Sequence, residues 1–185
     1  WIYPNIFTPV HVIFLELIMG PTCSIVYENE PIEKNAMQQK PRKMTETFLN
    51  WRELSISIIQ GLMITVGVLF AYQLAVQNGS NEETTRAMVF TTLIFANVFL
   101  SLTNRSFTYS LFESFKNKNI LFPLIIGTTL ILLFAILYIP ALSNFFHVSS
   151  LNIKDLGITL LIAMVSVLWF ELYKLRKRRS QSNFL

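Results

Sequence analysis

One stretch concentrates the residues that could do chemistry. Phe14 to Pro31 reads FLELIMGPTCSIVYENEP. It opens as an apolar helix, yet Glu16 lies inside the apolar run. A carboxylate at the centre of a membrane helix costs about 2.5–3.5 kcal/mol on insertion scales, so such residues usually face a bundle interior and mark an ion or proton path. The alternative is a Glu16 close enough to an interface to be wet. It lies about 10 Å into the segment at 1.5 Å per residue, too deep for easy solvation. Gly20-Pro21 follows four residues later on the same helical face. Proline removes a donor and clashes with the carbonyl four residues back, and glycine relaxes the backbone, so the pair predicts a helix break. Carbonyls freed there can serve as hard oxygen ligands for a cation. A simple packing kink is the other reading. Thr22 and Ser24 could add hydroxyl oxygens or bond back to their own helix. Asn97, in the middle of a later apolar run, offers an amide oxygen that could bind a cation or link two helices.

The elements that must position these residues are apolar. Of 185 residues 52% are hydrophobic and only 14% charged, with a mean hydropathy of +0.48. A soluble domain of this length carries roughly 25% charge. Five runs approach the ~20 residues that a bilayer core needs. They are 10–27, 55–77, 84–103, 120–139 and 156–173. In lipid the backbone must satisfy its own hydrogen bonds, so these read as helices. The expected fold is all-α, a polytopic transmembrane helix bundle of five spans.

Charge sets the orientation. Lys34, Lys40, Arg42, Lys43 and Arg52 lie between spans one and two; Arg105, Lys116 and Lys118 lie between three and four. Lys174, Arg176, Lys177, Arg178 and Arg179 follow span five, and only Arg86 and Lys154 fall on the other side. The positive-inside rule makes 28–54, 104–119 and the basic tail 174–185 cytoplasmic. The loops 1–9, 78–83 and 140–155 are then external. Trp1, Tyr3, Trp51, Tyr138, Trp169 and Tyr173 fall near span ends, as an interfacial aromatic belt does. Gly61 and Gly67 suggest close helix contact. Gln60 and Gln73 read as packing residues near span ends, and His11 and His147 as solvated or interfacial. SQSNFL at the end reads as a loose tail.

Several classes fall away. A single cysteine, Cys23, excludes an intrachain disulfide and a cysteine metal cluster. The net charge of +4 is explained by topology, so no nucleic-acid partner is expected. The sequence holds no glycine-rich phosphate loop and no nucleophile–base arrangement, so it predicts no catalytic residue and no cofactor bound by this chain.

The stretch HVIFLELIMGPTCSIVYENEP, followed by Met37 and Lys40-Pro41-Arg42, resembles the sixth membrane helix and following loop of cation-transporting P-type ATPases. Calcium pumps share a related pattern, and a bacterial branch carries a version close to L-E-L-I-x-D-P-T-C-S-I-V-F-E. The run RAMVFTTLIFANVFLSLTNRS resembles the family's eighth helix, and the run ending WFELYKLRKRR its tenth. The five spans would then be helices six to ten of a ten-helix pump. The resemblance implies that Glu16 and Asn97 are ligands of the transported cation, because both fall where calcium pumps have coordinating side chains. Gly20 is the departure: it stands where the family has a coordinating aspartate.

The chain opens at Trp1 without an initiator Met, so the expectation is a C-terminal fragment. The resemblance implies that the rest of the pump holds the phosphorylated aspartate, the nucleotide pocket, ATP and Mg2+. The expected partners are the lipid bilayer, the transported cation and that N-terminal part. The expected location is a multi-pass position in the cell membrane, bacterial plasma membrane, with the N-terminus external and the C-terminus cytoplasmic. A degenerate, non-catalytic scaffold or regulator derived from such a pump is the competing reading, favoured by Gly20. A channel or secondary transporter is a third, but neither an inverted repeat nor a filter sequence supports it.

Overall fold

The computed structural model describes residues 6–28, 51–104 and 121–182. Six helices make it up: α1 Pro9–Glu28, α2 Trp51–Gln77, α3 Glu82–Asn104, α4 Leu121–Tyr138, α5 Pro140–Phe146 and α6 Ile153–Ser182. Among the described residues there is no strand. The all-α expectation holds. Among the described residues, four helices are apolar and long enough to cross a membrane by length and composition: α2, α3, α4 and α6. The remaining expected span, 10–27, folds as the 20-residue α1.

Four hydroxyl groups inside these apolar helices are absorbed locally, whereas the buried Thr91 Oγ1 has no hydrogen-bond partner. Thr65 Oγ1 donates to Gly61 O, Thr92 to Met88 O, Thr129 to Ile125 O and Ser166 to Ile162 O, at 2.7–3.0 Å. Such back-bonding leaves no hydroxyl proton facing lipid. The turn between α2 and α3 is equally local. Gly79 adopts φ 69°, Gly79 N–H donates to Val76 O and Ser80 N–H to Ala75 O, which closes α2 with a left-handed cap. Asn81 then starts α3, its Oδ1 accepting from Thr84 N–H at 2.9 Å.

The most polar helix lies at the centre. α3 packs against α6, α2, α4 and α1. Over half of its span is buried, against about a quarter of each of the other three. Met88, Phe90, Ile94 and Phe95 of α3 join Leu133 and Leu137 of α4, Phe146 of α5 and Val167 of α6 in one core. The outward faces stay apolar: Leu62, Val66 and Leu69 on α2, Ile131 on α4, Leu161 and Val165 on α6. A polar centre inside an apolar rim is what a bilayer solvent selects. Trp51 and Tyr138 are exposed at helix ends, Tyr173 is exposed and Trp169 half-buried within α6, which continues past both, and Trp1 and Tyr3 lie outside the described residues.

Two glycine expectations separate. A Cβ on Gly67 would lie 2.0 Å from Ser166 Oγ and 3.1 Å from Ser166 Cβ, so this glycine lets α2 approach α6. Gly61 meets nothing and is exposed. Gln60 is buried and exchanges two amide bonds with Asn104 of α3, at 3.0 and 3.3 Å, whereas Gln73 is exposed.

Three expectations about chain path change. α1 runs through Gly20-Pro21 without a break. Proline deletes a single intrahelical bond, the one to Leu17 O, and the remaining bonds of a 20-residue helix carry it across. The segment 140–155 contains the short helix α5, started by Pro140 at its first position. The last helix continues to Ser182, through the basic run and half of the expected tail. The basic residues that carry the orientation argument lie outside the described residues: Lys34, Lys40, Arg42, Lys43, Arg105, Lys116 and Lys118, with the side chains of Arg52, Lys174 and Arg176–Arg179.

Candidate functional site

Glu16 sits on α1 and is exposed. Val12, Ile13, Leu17, Gly20, Ser24 and Glu28 are exposed with it. Steps of three and four residues place all of them on one stripe. The stripe is therefore the face that the rest of this chain leaves uncovered. The opposite face is occupied: Phe14 packs on Phe90 of α3 and Phe146 of α5, with ring centroids 5.7 and 5.4 Å apart. Glu16 stands two residues beyond Phe14, about 200° around the helix, and so turns away from α3.

Gly20 shares the Glu16 stripe, as its spacing predicts. A Cβ there would meet nothing within 4 Å. Packing among the described residues does not demand glycine at that position. The side chains of Pro21, Thr22 and Cys23 lie outside the described ones. Asn97 lies half-buried on α3, and its Nδ2 donates to Leu93 O at 3.0 Å. That bond ties the amide to its own helix and turns Oδ1, the oxygen a cation needs, away from it. No hydrogen bond among the described residues joins Asn97 to Glu16. The two carried-over positions thus stand on different helices, and α1 shows its other face to α3. Among the described residues no group of three His, Cys, Asp or Glu side chains converges.

A second polar cluster, which the sequence reading did not single out, lies at the N-terminal end of α1. Arg86 of α3 is 7% exposed. Its Nε donates to Ile6 O at 2.9 Å, one terminal nitrogen to His147 O at 2.7 Å and the other to Glu82 Oε1 at 2.7 Å. One guanidinium thereby joins the segment before α1, the turn after α5 and the first turn of α3. His147 is the only non-glycine residue with positive φ among the described residues, at 51°. It closes α5 as a left-handed cap, with His147 N–H bonded to Asn144 O and Val148 N–H to Ser143 O. A side chain in that conformation costs about 1–2 kcal/mol, offset here by the cap and by the Arg86 bond to the His147 carbonyl.

His11 completes the cluster and corrects an expectation: it is fully buried, not solvated. Its Nδ1 accepts from Thr8 N–H at 3.2 Å and lies 2.7 Å from Thr8 Oγ1. Thr8 is the cap of α1, Pro9 its first residue and His11 its third. The imidazole thus reaches back to the Thr8 N–H as Glu or Gln does in half of a capping box, while the His11 N–H donates to Thr8 O at 3.0 Å. An accepting Nδ1 puts the proton on Nε2, which has no hydrogen-bond partner; the imidazole lies T-shaped to the rings of Phe90 and Phe146, with centroids 5.0 and 5.5 Å apart. The signal in the sequence was Thr8-Pro9-Val10-His11; it shows only if His is admitted at the third position.

These observations describe a membrane-type bundle with one uncovered carboxylate stripe and one closed polar cluster. A family model described as "Cation transporting ATPase, C-terminus" matches residues 4–176. The chain belongs to this family. Calcium-transporting ATPase 1 of Yarrowia lipolytica is 27% identical over 183 residues, covering 97% of this chain and 20% of that protein. Calcium-transporting ATPase type 2C member 2 of Rattus norvegicus is 29% identical over 176 residues, 93% of this chain and 18% of the relative. Calcium-transporting ATPase 1 of Bacillus cereus is 26% identical over 188 residues, 92% of this chain and 21% of the relative. The chain thus spans about a fifth of the length of the curated relatives it matches. It is similar to the membrane C-terminal region of calcium-transporting P-type ATPases.

Proposed function

We propose that this chain forms the ion-translocating helices six to ten of an ATP-driven cation pump, with calcium or a related cation as the transported substrate. α1 is then the first of five spans, with the basic segments on the cytoplasmic side. The observation that carries the reading is the Glu16 stripe. A carboxylate well inside a 20-residue helix, turned away from its own bundle, is expensive against lipid. It becomes sensible when further helices of a longer protein cover it around a cation. The calcium transport named for the relatives agrees with that use.

In this reading Glu16 supplies a carboxylate, Leu17 O a carbonyl left without its helical donor by Pro21, and Asn97 an amide oxygen from a neighbouring helix. Hard oxygen ligands of this kind suit calcium. Phosphoryl transfer with ATP and Mg2+ belongs to the rest of the pump. This chain's residues do not fit a nucleotide site, and no step of that chemistry falls on them.

The test is cation-stimulated ATP hydrolysis by the full-length protein. Glu16→Gln should raise the cation concentration needed for half-maximal activity at least tenfold. Unchanged cation dependence in that variant removes Glu16 from the site. Gly20 favours the second reading, a non-catalytic scaffold, since it lacks the expected carboxylate without any packing reason. A full-length protein that forms no phosphoenzyme from ATP would establish that reading instead.

A further inference from the structure

The described ring contacts of α1 all lie in its first turns and the residues before it. Phe7, His11 and Phe14 touch Phe90 or Phe146 or one another, and Ile6 O is held by Arg86. Beyond Leu15, every residue of α1 whose exposure is described is exposed. Among the described residues, α1 is held at its N-terminal end by this cluster, and the face that carries Glu16 is exposed. A rotation of one residue at the gripped end would turn that face by about 100°.

The grip is built to resist such a rotation. Arg86 is a planar fork whose donors are aimed in fixed directions, and it binds three separate segments at once. The Thr8–His11 bonds fix where α1 starts, and the rings fix its azimuth. The far wall is itself fastened: Ser149 N–H bonds to Glu83 O, and Ser149 Oγ lies 2.7 Å from Thr84 Oγ1. The geometry points to Arg86, acting with His11 and Thr8, as the positioning residue for the Glu16 face. It sets the depth and azimuth at which that carboxylate is offered to the cation. This rests on the pump reading for what Glu16 binds, though the grip itself does not.

Full-length protein in lipid nanodiscs tests both parts. Spin labels at Glu28→Cys and Tyr173→Cys, two exposed positions at the end away from the cluster, report the swing of α1 against α6 in a background otherwise free of cysteine. The expected result is one narrow distance with Arg86 in place, a broad distribution in Arg86→Met, and partial recovery in Arg86→Lys, which keeps the charge on a single donor nitrogen. Thr8→Ala should broaden it less and serves if Arg86→Met does not fold. In ATP hydrolysis, Arg86→Lys should raise the KM for calcium about fivefold with kcat within twofold. That rise should disappear in the Glu16→Gln background. Unchanged distances in Arg86→Lys and Thr8→Ala overturn the proposal. A broadened distance with KM unmoved, or a KM effect that persists without Glu16, leaves the cluster a fastener only and overturns the positioning role. If Glu16→Gln alone leaves calcium dependence intact, the pump-site reading fails, and the distances still decide whether the cluster sets α1.

Discussion

The two polar regions of α1 are built on opposite plans. Around Arg86, charge is closed on itself: three guanidinium donors meet three acceptors, and the neighbouring imidazole, bonded only through Nδ1, is walled by rings. Around Glu16, five residues on, the carboxylate and its neighbours face outward. Buried charge that is fully bonded holds a structure in one geometry, and breaking one partner exposes the others to desolvation cost. Charge left open at membrane depth is costly until something binds it. The difference teaches that polarity inside a membrane helix does not by itself mark a site. What separates fastener from site is whether the chain already satisfies the group.

The sharpest way to break the comparison is Arg86→Met. It strands the Ile6 and His147 carbonyls and removes the Glu82 partner. Each stranded buried acceptor costs about 1–3 kcal/mol, so the variant should lose about 2–5 kcal/mol in reversible unfolding in detergent. A loss under about 1 kcal/mol would mean that water reaches the cluster and that it is not closed.

Gly67→Leu attacks the scaffold away from both regions. The new side chain must pass through Ser166, so overpacking should cost about 1–3 kcal/mol. Gly67→Ala should cost less, and Ser166→Ala in the same chain should restore most of it by removing the hydroxyl that lies nearest. A double variant no better than Gly67→Ala would place the clash in the backbone rather than at Ser166. His147→Gly moves in the other direction. It keeps the carbonyl that Arg86 binds and removes the left-handed penalty, for a gain of about 0.5–1 kcal/mol by the same measurement. No gain would show that the ring or its bond to the chain stabilises the turn by as much as its φ costs.

The fastener was hard to see in the sequence, and the open stripe easier. Apolar length located every long helix, because a bilayer demands about 20 such residues. The Glu16 and Gly20 stripe followed from helical spacing. Gly67 was legible as a close approach, whereas Gly61, of the same residue type, was not distinguishable from it without the position of α6. His11 was misread because its burial comes from Phe90 and Phe146, 79 and 135 residues away. Arg86 looked like a stray external charge, since its acceptors are main-chain carbonyls, which every residue has. α5 was hidden by its length of seven residues, too short for periodicity to show. Proline at position 21 looked like a break because local propensity was weighed without the rest of the helix.

Gly20→Asp produces the smallest change in stability and the most informative one in function. The position is exposed on α1 and a side chain there meets nothing in this chain. The unfolding midpoint should therefore stay within about 2 °C, as for other exposed substitutions. In full-length protein the added carboxylate stands one turn from Glu16 on the same face, where the two can share one divalent ion. Half-maximal activation by calcium should move to at least tenfold lower concentration, equivalent to about 1.4 kcal/mol of added binding free energy. The two carboxylates also repel each other without the ion, so the gain should fall for a monovalent cation and be largest for a divalent one. If neither affinity nor selectivity changes while the midpoint stays fixed, the stripe is an outward surface and not a site. The contrast between the closed and the open region would then be one of packing alone.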